Sequence, residues 1–253
     1  MRILIGRDYH AFSVLGASYI ADFIRANPGR LLCFAGGDTP LGIYKVLIEM
    51  QARGEVDLNS MYYVGLDEWV GIGHETKGSC AQVMQDGFYG PAGIDPSKIR
   101  VFDGLCLNLE QECAEIHAWI AERGKIALTL LGIGMNGHIG FNEPFVDPSK
   151  ETLVVDLDET TVEVGQKYFN DVACPAQGIT VGIKRLIEAD EVILAACGPK
   201  KSGILKRTLT DTPSIAVPST LMQEHEALTI VTDKDAFRGM WREDSSSAAV
   251  SLS

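Results

Sequence analysis

Ile126–Pro144 reads IALTLLGIGMNGHIGFNEP. Its first six residues, Ile126 to Leu131, form an apolar run of the length and composition of a strand buried on both faces, as in parallel sheets. The run is then broken by Gly132, Gly134, Gly137 and Gly140, which predicts a sharp strand-to-loop transition. Loops at the carboxyl ends of parallel strands are where open α/β sheets hold ligands. Asn136, His138, Asn142 and the carboxylate Glu143 crowd into this one, and Pro144 stiffens its exit. Histidine titrates nearest neutrality, and a carboxylate five positions on can fix its tautomer and raise its basicity. A glycine turn holding a satisfied surface histidine has the same local spelling, so the reading depends on what the rest of the chain supplies.

Outward from this stretch, strand-like runs recur at Met1–Ile5, Leu31–Ala35, Met61–Leu66, Lys98–Phe102, Leu153–Leu157, Ile179–Ile183, Val192–Cys197 and Leu228–Thr232. Helical spacing falls between them at Ala11–Ala26, Leu41–Ala52, Asn108–Arg123 and Lys200–Leu209. Such alternation predicts a doubly wound, Rossmann-like α/β fold, with a mainly parallel sheet and helices on both faces. A single domain over residues 1–241 is expected. The polar end, REDSSSAAVSLS, is expected to be a tail at 242–253.

Two more strand ends carry candidate chemistry. Leu31–Ala35 runs into Gly36-Gly37-Asp38-Thr39-Pro40 and then a helix, a place where free backbone amides and a positive helix end converge on an anion such as phosphate. The spelling matches neither GxGxxG nor the P-loop. Met61–Leu66 runs into Asp67-Glu68-Trp69. At least one of these acids should sit at the sheet edge, either as a turn or helix cap or as a general base whose pKa partial burial would raise. Gly71–Cys80 is a plausible loop over the site. Val192–Cys197 ends at Gly198-Pro199-Lys200-Lys201, which brings ammonium groups to the same edge.

The chain has 253 residues and a formal net charge of −12. Acidity of that size argues against nucleic acid or anionic membrane as a partner. The six cysteines lack CxxC spacing, which favours reduced cytoplasmic thiols over disulfides or zinc. The start, MRILIGRDYH, turns polar too soon for a signal peptide, and no apolar run reaches the roughly 18 residues of a membrane span.

Taken together, GGDTP, GLDEWVGI and GIGMNGHIGFNEP, followed by TVGI and the GPKK turn, closely resemble the glucosamine-6-phosphate deaminase (isomerase) family, in register from the first strand to about residue 232. The resemblance implies an enzyme with no metal or organic cofactor that converts D-glucosamine 6-phosphate and water to D-fructose 6-phosphate and ammonia. It assigns Asp67 as the base moving a proton between C2 and C1, and His138 as the ring-opening residue assisted by Asn136 and Glu143. It assigns phosphate contacts to Gly36, Gly37, Thr39 and Lys201. Lys167 aligns loosely with a phosphate-binding arginine, keeping the charge without the bidentate fork.

Asp38 departs from the family pattern: a carboxylate in a phosphate loop must point away, cap the helix or signal another anion preference. Phe145 to Asp158 departs from the effector site of hexameric members, which implies a monomer or small homo-oligomer without activation by N-acetylglucosamine 6-phosphate. Galactosamine 6-phosphate as substrate, a 6-phosphogluconolactonase-like hydrolase, and a non-catalytic sugar-phosphate sensor are the alternatives.

Overall fold

The computed structural model describes residues 1–169 and 173–240, so the tail expected at 242–253 lies outside the described residues. In chain order the strands and α-helices are β1 (Arg2–Gly6), α1 (Tyr9–Ala26), β2 (Leu31–Phe34), α2 (Leu41–Ala52), β3 (Tyr62–Gly65), β4 (Asp67–Trp69), α3 (Cys80–Met84), β5 (Ile99–Arg100), α4 (Leu109–Glu122), β6 (Ile126–Gly132), β7 (Thr152–Asp156), α5 (Glu159–Gly165), β8 (Gln177–Val181), α6 (Ile183–Ile187), β9 (Glu191–Ala196), α7 (Ser202–Thr210), β10 (Leu228–Asp233) and α8 (Lys234–Phe237).

Seven strands form one sheet in the order β1-β10-β9-β6-β2-β3-β5, and every neighbouring pair is parallel. Side chains alternate across a strand, and β2 feeds both faces. Leu32 and Phe34 enter a core shared with α1 and α2, whereas Leu31 and Cys33 enter a core shared with α4, α6 and α7. The fold is therefore doubly wound α/β. Helix α1 shows how local sequence meets packing. Asp8 caps it by accepting from the Ala11 amide at 2.8 Å, Phe12, Ile20 and Ile24 are buried on one face, and Asn27-Pro28-Gly29 ends it. Each of those side chains contributes about 1.5–3 kcal/mol by burial, so a charge at Ile20 is the single change that would detach the helix.

The strands expected at Leu153–Leu157 and Ile179–Ile183 exist, but they do not join the parallel sheet. Together with Asp67–Trp69, they form a separate antiparallel sheet in the order β4-β8-β7. Half-exposed side chains along β7 are the physical reason, since a strand inside the parallel sheet must be buried on both faces. The strand expected at Lys98–Phe102 shortens to Ile99–Arg100, and Ile183 opens α6.

Asn142 ties the loop after β6 to this small sheet. Its Nδ2 donates to the carbonyls of Ile139 at 2.8 Å and Val181 at 2.9 Å, and its Oδ1 accepts from the Ile183 amide at 3.2 Å. Among the described residues, no helix is long and apolar enough to cross a membrane, and the six cysteines are free.

Candidate active site

From β2 the chain proceeds to β3 and β5 on one side, and from β6 to β9 and β10 on the other. Because β2 and β6 are neighbours, the loops after them part at their carboxyl ends and leave a crevice, the place where doubly wound sheets take ligands. A cavity of about 260 Å³ occupies it, smaller than the roughly 300–1,000 Å³ that holds drug-sized molecules and suited to one small solute. Its walls include Gly36, Gly37, Thr39, Asp67, His138, Lys167 and Lys201, contributed by segments far apart in sequence.

One end is built for an anion. Among the described residues, the amides of residues 36–39 donate to no protein acceptor. They precede the amino end of α2, so unpaired N–H groups and a positive helix end face the cavity together. Gly37 adopts φ +93°, which favours glycine there. Lys201 reaches in from the turn after β9, and its Nζ donates to the Ile133 carbonyl at 2.6 Å. Burial, with the charge of Lys167 added, lowers its pKa. Lys200 is exposed and does not line the cavity. Lys167 Nζ lies 2.6 Å from Asp38 Oδ2 and over the ring of Tyr168. Asp38 thus points at a lysine and does not cap α2, which has no side-chain cap.

His138 projects from the glycine loop with its ring against Gly134, where an added Cβ would sit 2.3 Å from the imidazole; the ring fits only because that residue is glycine. Nδ1 lies 3.0 Å from Thr161 Oγ1 and 3.5 Å from Glu143 Oε2. Two oxygen partners at Nδ1 favour the tautomer with hydrogen there, which leaves Nε2 as the free base. Asn136 completes the bracket: its Oδ1 accepts from the His138 amide at 3.1 Å, and its Nδ2 donates to Glu143 Oε2 at 2.8 Å. Burial alone would raise the pKa of Glu143, but hydrogen bonds from His138, Thr161 and Asn136 outweigh it and hold the carboxyl below its usual value. Glu143 is buried, and neither it nor the half-buried Asn136 lines the cavity. Both touch His138 and leave the cavity wall to it.

Asp67 and Glu68 separate into two roles because consecutive strand residues face opposite ways. Glu68, 1% exposed, accepts from the amides of Trp69 at 2.8 Å, Cys80 at 2.9 Å and Ala81 at 2.9 Å, and so pins the start of α3. Asp67 faces the cavity. Burial pushes its carboxyl up to about 7, against an opposing hydrogen bond from the Cys80 thiol. That value suits a general base working near neutrality. Trp69, packed against Phe141 with ring centroids 4.6 Å apart, shields this end from water. The arrangement therefore offers a base, an imidazole held by a buried carboxylate, and an anion cradle around one small volume.

A family described as glucosamine-6-phosphate isomerases/6-phosphogluconolactonase matches residues 11–231. The chain belongs to this family. Over 237 residues it is 34% identical to a glucosamine-6-phosphate deaminase of Clostridium botulinum, covering 93% of this chain and 97% of that one. A glucosamine-6-phosphate deaminase of Clostridium perfringens is likewise 34% identical, with 93% and 98% covered. Among solved structures, a monomeric glucosamine-6-phosphate deaminase superposes with a TM-score of 0.90 at 28% identity, covering 94% of this chain and 100% of that one. A 6-phosphogluconolactonase from Thermotoga maritima gives 0.73 at 18% identity, with 92% and 99% covered, a likeness of fold alone.

Within this isomerase and lactonase family framework, two side chains at the site escaped the sequence reading. Thr161 sits in ETTVEVG, whose only visible signal is a helix after an aspartate cap. Cys80, part of the loop expected over the site, is a lone thiol whose place beside Asp67 no local pattern encodes.

Proposed function

We propose that the protein is an amino-sugar-phosphate deaminase that converts D-glucosamine 6-phosphate and water to D-fructose 6-phosphate and ammonia. The observation that carries this reading is that Asp67 and His138 line the same cavity as the four-amide loop and Lys201. A phosphate ester held by Gly36, Gly37, Thr39, Lys167 and Lys201 would leave the sugar carbons beside the base and the imidazole.

His138 Nε2 takes the proton of the anomeric hydroxyl and returns it to the ring oxygen, so the pyranose opens to the aldehyde. Asp67 then removes the C2 proton, acidified by the neighbouring carbonyl and ammonium, and delivers it to C1, while one ammonium proton passes to O1. The resulting C2 iminium adds water and releases ammonia. Two separate proton carriers are needed, because ring oxygen and C2 lie in different places on the sugar. Asn136 and Glu143 are positioning residues for His138.

Such an activity belongs to amino-sugar metabolism, including N-acetylglucosamine catabolism. Free thiols support a reducing, cytoplasmic location. The monomeric deaminase with the same fold supports a monomer or small homo-oligomer built from a 1–241 domain. The test is ammonia release by the purified protein from glucosamine 6-phosphate and, separately, from galactosamine 6-phosphate, with 6-phosphogluconolactone hydrolysis as the competing assay. Release from the first sugar alone fits the proposal, and lactone hydrolysis without ammonia refutes it.

A further inference from the structure

Two carboxylates line the cavity, Asp67 at the reacting end and Asp38 at the anion end. A carboxylate beside a phosphate is repulsive, so Asp38 requires a physical reason. It does not cap α2. Its one side-chain bond among the described residues is the 2.6 Å ion pair to Lys167, across 129 positions of sequence. Lys167 and Lys201 face the same space, and the two like charges feel each other. An anion between or beside them relieves that repulsion, and Asp38 is one that the protein itself supplies.

We infer that Asp38 is an internal stand-in for the substrate's phosphate: it neutralises Lys167 in the empty site and yields that lysine to the phosphate ester when substrate binds. The inference rests on the proposed function and refines its anion site. The exchange is easy because both partners are half or more exposed, with side-chain accessibilities of 50% for Lys167 and 63% for Asp38. Exposed ion pairs contribute little, and a dianion competes well against a single carboxylate. After the exchange Asp38 still borders the phosphate and opposes it. Asp38 therefore acts through Lys167 as a positioning residue when the site is empty, and weakens phosphate affinity when it is filled.

The test is a double-mutant cycle on Asp38→Asn and Lys167→Met, read by calorimetry with inorganic phosphate at an alkaline pH where the ion is a dianion. The exposure of Asp38 lets the variant fold, which a melting curve checks. Asp38→Asn should tighten phosphate binding about three- to tenfold, and the KM for glucosamine 6-phosphate should fall by a similar factor, with the gain in KM rather than kcat. Lys167→Met should weaken binding, and adding Asp38→Asn to it should recover part of the loss by removing an unpaired carboxylate. Unchanged or weaker phosphate binding in Asp38→Asn, or a double variant no better than Lys167→Met, would overturn the inference. Because calorimetry needs no turnover, these outcomes stay separate from a failure of the deaminase reading, which would appear as no ammonia from the wild-type protein.

Discussion

Thr161 Oγ1 lies 3.0 Å from His138 Nδ1, joining a helix after the small sheet's β7 to the imidazole presented by the loop after β6. The hydroxyl can accept from Nδ1 and, beside the buried Glu143, helps hold that carboxyl below its usual value. Replacing Thr161 by valine keeps the volume and removes the relay, leaving Glu143 at 3.5 Å as the remaining partner. One hydrogen bond is worth about 0.5–1.5 kcal/mol net, so Thr161→Val should lower kcat roughly three- to tenfold and lower the melting temperature slightly. Steady-state kinetics on the pyranose substrate measures it, and full activity would remove Thr161 from the site.

Asp67 should set the acid limb of the pH profile. Its carboxyl is raised to about 7 by burial, so the working carboxylate appears as pH rises through that value: kcat/KM should climb about tenfold per pH unit below it and level above. Cys80 holds the carboxyl down through its thiol hydrogen bond. Cys80→Ala should therefore shift the limb to higher pH, and Cys80→Ser should restore it. A limb near 4 would show that Asp67 is ordinary.

The same shift bears on stability. An acid whose folded pKa is raised opposes folding when ionised; the penalty is absent below its usual value of 3.8, grows up to about 7 and is constant above. Asp67→Asn should therefore melt no lower than wild type at alkaline pH, despite losing activity. Thermal melts at several pH values check the sign.

Glu68 makes the opposite prediction to its neighbour. Its three amide bonds are structural, so Glu68→Gln, which leaves a buried amide donor among other donors, should cost about 1–3 kcal/mol of stability. The folded fraction should keep a pH limb near about 7, because the base is still present. Denaturant unfolding beside a pH profile separates the two acids.

Gly134 is a steric requirement of the imidazole. A methyl there would stand 2.3 Å from the His138 ring, so Gly134→Ala should swing the histidine away and cost about 10² or more in kcat, the lower range of general acid–base assistance. An active Gly134→Ala variant would place the proton shuttle elsewhere.

The parallel sheet was legible because each of its longer strands is a short apolar run cut off by glycine or polar residues; Ile126–Leu131, fully buried in β6, is the clearest. The small sheet was not. Asp67–Trp69 offers three residues, two of them acidic, and its strand character comes from pairing with Gly178–Thr180 more than a hundred positions away. Recognising that strand would have assigned Asp67 to the cavity and Glu68 to the interior by alternation alone. Asp38 and Lys167 were each legible as exceptions to a family pattern, but their pairing depends on how α5 and the turn after it lie against the loop of residues 36–40. The local cluster of the glycine loop was legible, since Asn136, His138, Asn142 and Glu143 lie within eight residues of one another.

Ammonia release from glucosamine 6-phosphate, measured side by side for wild type and Asp67→Asn, tests the proposed chemistry most directly. Wild type should release ammonia and form fructose 6-phosphate in equal amounts, while Asp67→Asn should still bind the sugar phosphate and release almost none. No ammonia from the wild-type protein, or a tenth or more of its turnover in Asp67→Asn, would contradict the role given to this carboxylate.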